Sequence, residues 1–302
     1  MLGWLDRING YSGERIDFDT VDPDPFMQHI TRYEYAAGHL FGSVLDCACG
    51  VGYGSYYLAS RPLVTSVTGA DLSAEAIKYA NRRFQHAKLT YRTADALNMP
   101  FDDGSFDGVV SLETLEHLKT PERFLSEVKR VLRPGGIFIV SVPNRKFHSD
   151  AGIKNEWHHS EMYYSEFKQL LSSFFPEVTM DYQLCSEPRA EAIQEAIRKP
   201  VPIQKKMVRA AVPKSVRRLL LLPVQWRRYR ARMAEQVGAK HDLDFDSFMR
   251  DNPELKASYR VVPADPSLCE TKMGNLISCC QKGPLGADDR AGGSSGRALR
   301  PG

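Results

Sequence analysis

VLDCACGVGYGS, residues 44–55, runs a short apolar strand straight into a glycine-rich turn. Glycines alternate at Gly50, Gly52 and Gly54, a spacing that lets the backbone approach a ligand closely and aim its amides at it. The same stretch carries Cys47 and Cys49 in C-x-C spacing, which suits a metal or a redox pair. The chain has six cysteines, the rest single or adjacent at Cys279-Cys280, with no disulfide or zinc framework. Cys47 and Cys49 are therefore read as small apolar filler at the end of a buried strand. The glycines are left to carry the chemistry.

Around this turn, residues 43–142 alternate strand and helix. LVTSVTGADLS, LTYRTAD, FDGVVSLE and IFIVSVP read as further strands, and AEAIKYANRRF and TPERFLSEVKRVL as helices between them. Ser73 is placed to cap the first of those helices; Thr120, Pro121 and Pro134-Gly135-Gly136 mark the start and stop of the second. Near-continuous apolar strands separated by helices imply a parallel sheet covered on both faces, a doubly wound α/β fold. EVTMDYQL and NLISCCQK read as a final antiparallel pair split by a long insertion without strand pattern. In such sheets ligands bind beyond the carboxyl ends of the strands. Three acids stand there in register: Asp46 closes the first strand, Asp71 the second and Asp95 the third. Asp71 is placed to grip a ribose diol and Asp95 to accept from a purine amine.

The 302 residues are 42% hydrophobic and 25% charged with net charge +3, an ordinary balance that singles out no partner. The first residues lack an apolar signal-peptide core, and no run reaches the 18 apolar residues that a spanning helix needs. A reduced, cytoplasmic protein is the expectation.

The order VLDCACGVGYGS, GADLS, ADALNMPFDDGSFDGVVSLETLEHL and LRPGG resembles the class I S-adenosylmethionine-dependent methyltransferases across residues 44–142. The resemblance implies a seven-stranded, mostly parallel, Rossmann-like sheet ending in an antiparallel hairpin, with S-adenosylmethionine as cofactor. It also implies that Asp46, Ala48, Gly50 and Gly52 flank the methionine part, that Asp71 takes the ribose, and that Asp95 and Ala96 meet the adenine. Leu72 and Leu112 complete that set. Ala48 departs from the family, many members of which have glycine there. The flanks look like bacterial methyltransferases encoded with glycosyltransferases of surface-polysaccharide assembly. Gly13-Glu14-Arg15, the His29 to Tyr33 segment, and Asn155, His158 and Glu161 match, whereas Glu156 and Met162 depart from that pattern. By this likeness Arg32 and Tyr33 close over the cofactor, Arg32 against its carboxylate. The chain then divides into a helical lid (1–42), a cofactor-binding core (43–186), a basic helical insertion (187–268), the last strand (269–283) and a disordered tail (284–302).

The acceptor side begins after the fourth strand. Glu113, Glu116 and His117 stand at i, i+3 and i+4, one face of a helical turn. The pattern is similar to ubiquinone-pathway and small-RNA 2′-O-methyltransferases, where carboxylates and histidines hold a magnesium-like ion. Glu113, Glu116 and His117 with His158 or His159 would make such a site for Mg²⁺ or Mn²⁺. The alternatives are His117 or His158 as a metal-free base beside Glu116, and a purely structural role. Residues 196–234 contain no acid and many Lys and Arg interleaved with apolar residues. That composition suits a solvated cover over the acceptor site or an anionic membrane surface, and nucleic acid less well. The expected activity is O-methylation of a sugar hydroxyl on a surface glycan or lipid-linked saccharide, at the inner face of the plasma membrane. A quinone-type or other small-molecule acceptor, and a non-catalytic cofactor-binding partner, are the rivals.

Overall fold

A computed structural model describes residues 23–151, 157–188, 190–191, 250–272 and 274–284. Gly13-Glu14-Arg15, Asn155, Glu156, the basic stretch 196–234 and all but the first residue of the tail lie outside these. The described residues form seven helices: α1 (Pro23–Ala37), α2 (Tyr53–Ala59), α3 (Ala74–Arg83), α4 (Pro121–Val131), α5 (Tyr164–Ser172), α6 (Pro253–Ala257) and α7 (Pro266–Thr271). Eight strands join them: β1 (Gly42–Cys47), β2 (Val64–Asp71), β3 (Leu89–Thr93), β4 (Phe106–Leu112), β5 (Leu132–Pro143), β6 (Glu177–Cys185), β7 (Tyr259–Pro263) and β8 (Gly274–Gln281). Among the described residues no helix is long and apolar enough to cross a membrane.

The strands make one sheet of order β3-β2-β1-β4-β5-β8-β6-β7. β3, β2, β1, β4 and β5 run parallel, and β8 lies antiparallel between β5 and β6. This is the doubly wound sheet and split final pair that the apolar runs imply. It has eight strands where seven were expected, because β7 falls within the stretch expected to be helix and loop. Its five residues are too few to show a period, and only Tyr259 is buried.

Strand order reverses between β1 and β4, whose neighbours lie on opposite sides. The carboxyl ends of β1 and β4 therefore stand side by side at the switch point, where such sheets bind ligands. Val44 pairs with Gly108 and Asp46 with Val110, so the two loops that follow are adjacent.

Helix boundaries follow local chemistry. Ser73 caps α3 by accepting from the Ala76 amide at 3.2 Å. Pro121 starts α4, but the Thr120 side chain makes no cap bond. α4 stops at Val131, three residues before Pro134, because Leu132 is already extended and pairs with Phe106 of β4. α4 buries Phe124, Leu125, Val128 and Val131 in a core with Phe106, Val109, Phe138 and Val140. Each such side chain contributes roughly 1.5–3 kcal/mol by leaving water. That anchors β4 and β5 and holds their ends in place.

The chain divides into two compact units. The larger holds residues 30–184 and the described residues from 261 on, and therefore the sheet switch point. The smaller comprises described residues 23–29 and those between 185 and 260, and within it the Ser186 amide donates to the Ser258 carbonyl at 2.8 Å.

Candidate active site

The glycine turn leaves β1 at Cys47 and enters α2 at Tyr53 with three left-handed residues: Ala48 (φ 63°), Gly50 (φ 57°) and Gly52 (φ 92°). At Gly52 a Cβ would stand 2.6 Å from the Tyr91 hydroxyl and 2.7 Å from the Ala80 Cβ, so the position is closed to any side chain. At Gly50 nothing lies within 4 Å, so its face is open for a ligand to approach the backbone. Asp71 holds the turn from β2. Its carboxylate accepts from the Gly50 and Ser73 amides, each at 2.9 Å. Leu72 beside it is 71% exposed, an apolar surface next to that carboxylate. At the end of β3 Asp95 is exposed and accepts from the Leu97 amide at 2.8 Å, while Ala96 is half-buried. Leu112 is buried at the end of β4.

Asp46 is fully buried. It accepts from the Ser55 hydroxyl at 2.6 Å and from the Tyr33 hydroxyl at 3.2 and 3.3 Å. Burial pushes its carboxyl up to about 7, against the pull of those two hydroxyls. The Tyr33 ring lies on Gly54, where a Cβ would sit within 1.9 Å of it. Arg32, expected against the cofactor's carboxylate, lies among side chains at the sheet's carboxyl edge. Its guanidinium is 1% exposed, donates from Nη1 to Gln183 Oε1 at 2.7 Å, and lies 4.0 Å from Glu113 Oε1. Its Nε, the atom that faces Glu113, has no hydrogen-bond partner.

On the acceptor side the helical face expected for Glu113, Glu116 and His117 does not form. Only Leu115–His117 makes a helical turn, and Glu113 is left-handed at φ 52°. That twist turns Glu113 onto the sheet edge, where it accepts from Ser141 Oγ at 2.7 Å and Asn275 Nδ2 at 2.8 Å. Glu116, His117 and His158 do converge, with donor atoms within 4.8 Å of one another. Glu116 is 1% exposed, and its Oε2 has no hydrogen-bond partner. Burial, reinforced by the charge of Glu113, raises its carboxyl well above the usual range. Its backbone carbonyl accepts from the His159 and Ser160 amides at 2.7 and 3.1 Å, pinning the later segment to this turn. His159 itself is exposed, so His158 is the histidine that joins the cluster.

Both cluster histidines have Nδ1 occupied. His158 Nδ1 meets Glu161 Oε1 at 2.5 Å, and His117 Nδ1 meets the Trp157 carbonyl at 3.2 Å. Each partner is an acceptor, so Nδ1 carries the proton and Nε2 is the acceptor nitrogen. The rings meet edge-to-face at 4.8 Å, and His117 Nε2 lies 3.8 Å from Glu116 Oε1. Glu161 also accepts from the Ser149 amide at 3.0 Å. Burial works to raise its carboxyl, but the bonds from Ser149 and His158 outweigh it and leave Glu161 below its ordinary value. His148, its ring 6.4 Å from that of His158, is held below the usual imidazole range by burial. The Glu161 and Ser149 partners, and the Ser55, Ser141, Gln183 and Asn275 contacts, were not assigned from sequence. Of these only Glu161 carried a signal, three residues past His158.

The reversed strand order and the mostly parallel sheet with its antiparallel last strands are the α/β fold that class I S-adenosylmethionine-dependent methyltransferases have. Residues 45–140 match the methyltransferase domain family. The chain is 40% identical over 122 residues to a phthiotriol/phenolphthiotriol dimycocerosates methyltransferase of Mycobacterium ulcerans, covering 39% of this chain and 45% of that one. It is 34% identical over 152 residues to a protein of Mycolicibacterium smegmatis named as a probable S-adenosylmethionine-dependent methyltransferase, covering 49% and 57%. The chain thus spans about half the length of the curated relatives it matches. A solved S-adenosylmethionine-dependent methyltransferase of Thermotoga maritima superposes with TM-score 0.52 at 14% identity, over 85% of this chain and 90% of that one. That likeness shows the fold alone. The cofactor fits the residues present: Gly50 offers open backbone, Asp71 a carboxylate at the end of β2 beside that turn, and Leu72 an exposed apolar side chain next to it.

Proposed function

We propose that this chain is a methyltransferase that moves the methyl group of S-adenosylmethionine onto an oxygen of a lipid or lipid-linked saccharide. The bound cofactor supplies the activated methyl on a cationic sulfur. The chain supplies position and a place for the proton. Asp71 and the Gly50–Gly52 turn hold the ribose and methionine parts, with Leu72, Asp95 and Ala96 toward the adenine. Methyl transfer is an in-line displacement, so placing the two reactants accounts for most of the rate. As the acceptor oxygen gains the methyl it gives up its proton, and that proton leaves at the Glu116–His117–His158 cluster.

The observation that carries the oxygen-acceptor reading is the pair of imidazoles with both Nδ1 atoms tied. A carbon or amine acceptor has less need of such a group. The lipid half of the reading is supported by the dimycocerosates methyltransferase among the relatives. The saccharide half is supported by His158 and Glu161, the two described matches to the segment after the fifth strand. Residues 196–234 are the membrane-facing part of this reading on composition alone.

The test is transfer of radiolabel from methyl-labelled S-adenosylmethionine into lipid and saccharide fractions of a membrane extract. Label in an alkali-stable, hydroxyl-derived ether is expected, and His158→Ala should lower it by about 10²-fold or more while cofactor binding holds. Cofactor binding without label in any fraction would sink the proposal.

A further inference from the structure

We infer that the indole of Trp157 is the platform for the acceptor: a sugar ring lies with its C–H face on the indole and one hydroxyl toward His117 and His158. The inference rests on the acceptor-side reading of those two histidines and adds the residue that selects what they act on. Trp157 is 58% exposed, yet its backbone is fixed. Its carbonyl accepts from His117 Nδ1 at 3.2 Å, and the His159 and Ser160 amides just beyond it donate to the Glu116 carbonyl at 2.7 and 3.1 Å. The chain that carries it leaves and rejoins the fold at one anchored place. There the Arg145 amide donates to the Met162 carbonyl at 3.1 Å, and Asn144 Nδ2 donates to the Tyr182 hydroxyl at 2.9 Å and the Cys269 carbonyl at 2.8 Å.

A large aromatic ring is thus held beside the reacting groups and left in contact with solvent. Exposure of that area contributes nothing to folding, whereas a ring fixed in advance loses little freedom when a ligand covers it. The face of an indole is negative and attracts weakly positive C–H groups. A pyranose offers one such apolar C–H face and a rim of hydroxyls.

The surroundings select the ring over a lipid. Next to Trp157 in the chain is His158, backed by Glu161 at 2.5 Å and flanked by the His148 ring at 6.4 Å, so the groups near the indole are polar. An acyl chain or a membrane surface asks instead for several apolar side chains together. Among the described residues the other large apolar side chains that are exposed are Phe41, Leu63 and Leu72. Phe41 and Leu63 precede β1 and β2 at the opposite end of the sheet. Leu72 follows β2, with β1 and β4 between it and β5. One aromatic face among polar groups matches a ligand that is itself apolar on one face and polar at the rim. Such stacking acts on substrate and transition state alike, so it belongs in KM rather than kcat.

The test uses the full chain with S-adenosylhomocysteine bound and methyl pyranosides as the probe, their affinity read by ligand-observed NMR. Sorbitol, which has the hydroxyls but no ring face, and phosphatidylglycerol vesicles are the comparison arms. Pyranosides should bind saturably and sorbitol should not. Trp157→Ala should weaken pyranoside binding about tenfold or more and raise KM for labelled transfer into saccharide by a similar factor. Trp157→Phe, which keeps an aromatic face, should recover most of both. Circular dichroism and S-adenosylmethionine binding report whether each variant is folded. No saturable pyranoside binding by the folded wild type, or binding that Trp157→Ala leaves untouched, overturns the inference. So does a loss confined to kcat, which would make Trp157 a prop for His117, or one confined to vesicle binding, which would make it a membrane contact. Label in sugar-free lipid without pyranoside binding overturns the platform but leaves the proposed function standing. Pyranoside binding at Trp157 with no label in any fraction keeps the platform and removes the function.

Discussion

Asp46 and Ala48, two residues apart on the cofactor turn, both carry a cost that the fold makes measurable. The carboxyl of Asp46 stands near 7 because burial disfavours its charge, even though Ser55 and Tyr33 donate to it. In the unfolded chain an aspartate titrates near 3.9. The folded protein therefore holds the extra proton between about pH 4 and 7. This group's stability contribution is complete below pH 4 and is lost as pH rises through 7, at up to about 1.4 kcal/mol per pH unit. Asp46→Asn keeps an acceptor oxygen for the two hydroxyls and cannot titrate. Urea unfolding at pH 4.5 to 7.5 should show wild type losing stability relative to the variant as pH rises; a constant gap would refute the assignment. At Ala48 the left-handed φ of 63° costs an L-residue ~1 kcal/mol or more. Ala48→Gly relieves that strain but loosens the unfolded chain, so a net gain of about 0.5 kcal/mol is expected by the same measurement. A lower midpoint would mean that the methyl group packs favourably.

At the scale of elements, the β1–α2 turn separates two uses of glycine that the bare sequence cannot distinguish. Gly50 and Gly52 both have positive φ, but only Gly52 is enclosed, by Tyr91 and Ala80. Gly52→Ala should therefore cost several kcal/mol of stability, from strain plus a clash that α3 and β3 must absorb. Gly50→Ala should cost only ~1–2 kcal/mol of backbone strain, with S-adenosylmethionine affinity falling at least tenfold because the methyl group fills the open face. Thermal unfolding and cofactor titration on both variants check this; equal affinity losses with equal stability losses would show that Gly50 faces no ligand. Such a turn is legible in sequence because its signals are local: a buried run, alternating glycines, and acids ending each neighbouring strand. The left-handed twist at Glu113 was not legible. Its spacing to Glu116 and His117 looks helical, and only the bonds to Ser141 and Asn275, 28 and 162 residues away, draw it out of the turn.

Across the whole molecule, those distant bonds close the carboxyl edge of the sheet. Glu113 follows β4, Ser141 lies on β5, Asn275 on β8 and Gln183 on β6, and Arg32 reaches in from α1. The set forms only because β8 inserts between β5 and β6 and pairs Asn275 with Gln183, a pairing that no local pattern announces. Sequence reading therefore recovered every strand but β7 and placed Glu113 on a helical face that does not form. The consequence is a sharp contrast between two neighbouring glutamates. Glu113→Ala removes the acceptor of the Ser141 hydroxyl and the Asn275 amide and the charge facing the buried Arg32 guanidinium, and should cost roughly 2–4 kcal/mol. Glu116→Gln keeps the buried side chain's volume and changes only a carboxyl whose Oε2 has no hydrogen-bond partner, so its stability loss should be smaller, while methyl transfer falls with the cluster that takes the acceptor's proton. Urea unfolding, paired with methyl transfer from labelled S-adenosylmethionine, reads both quantities on each variant. If Glu113→Ala keeps its stability, the edge network is incidental to the fold.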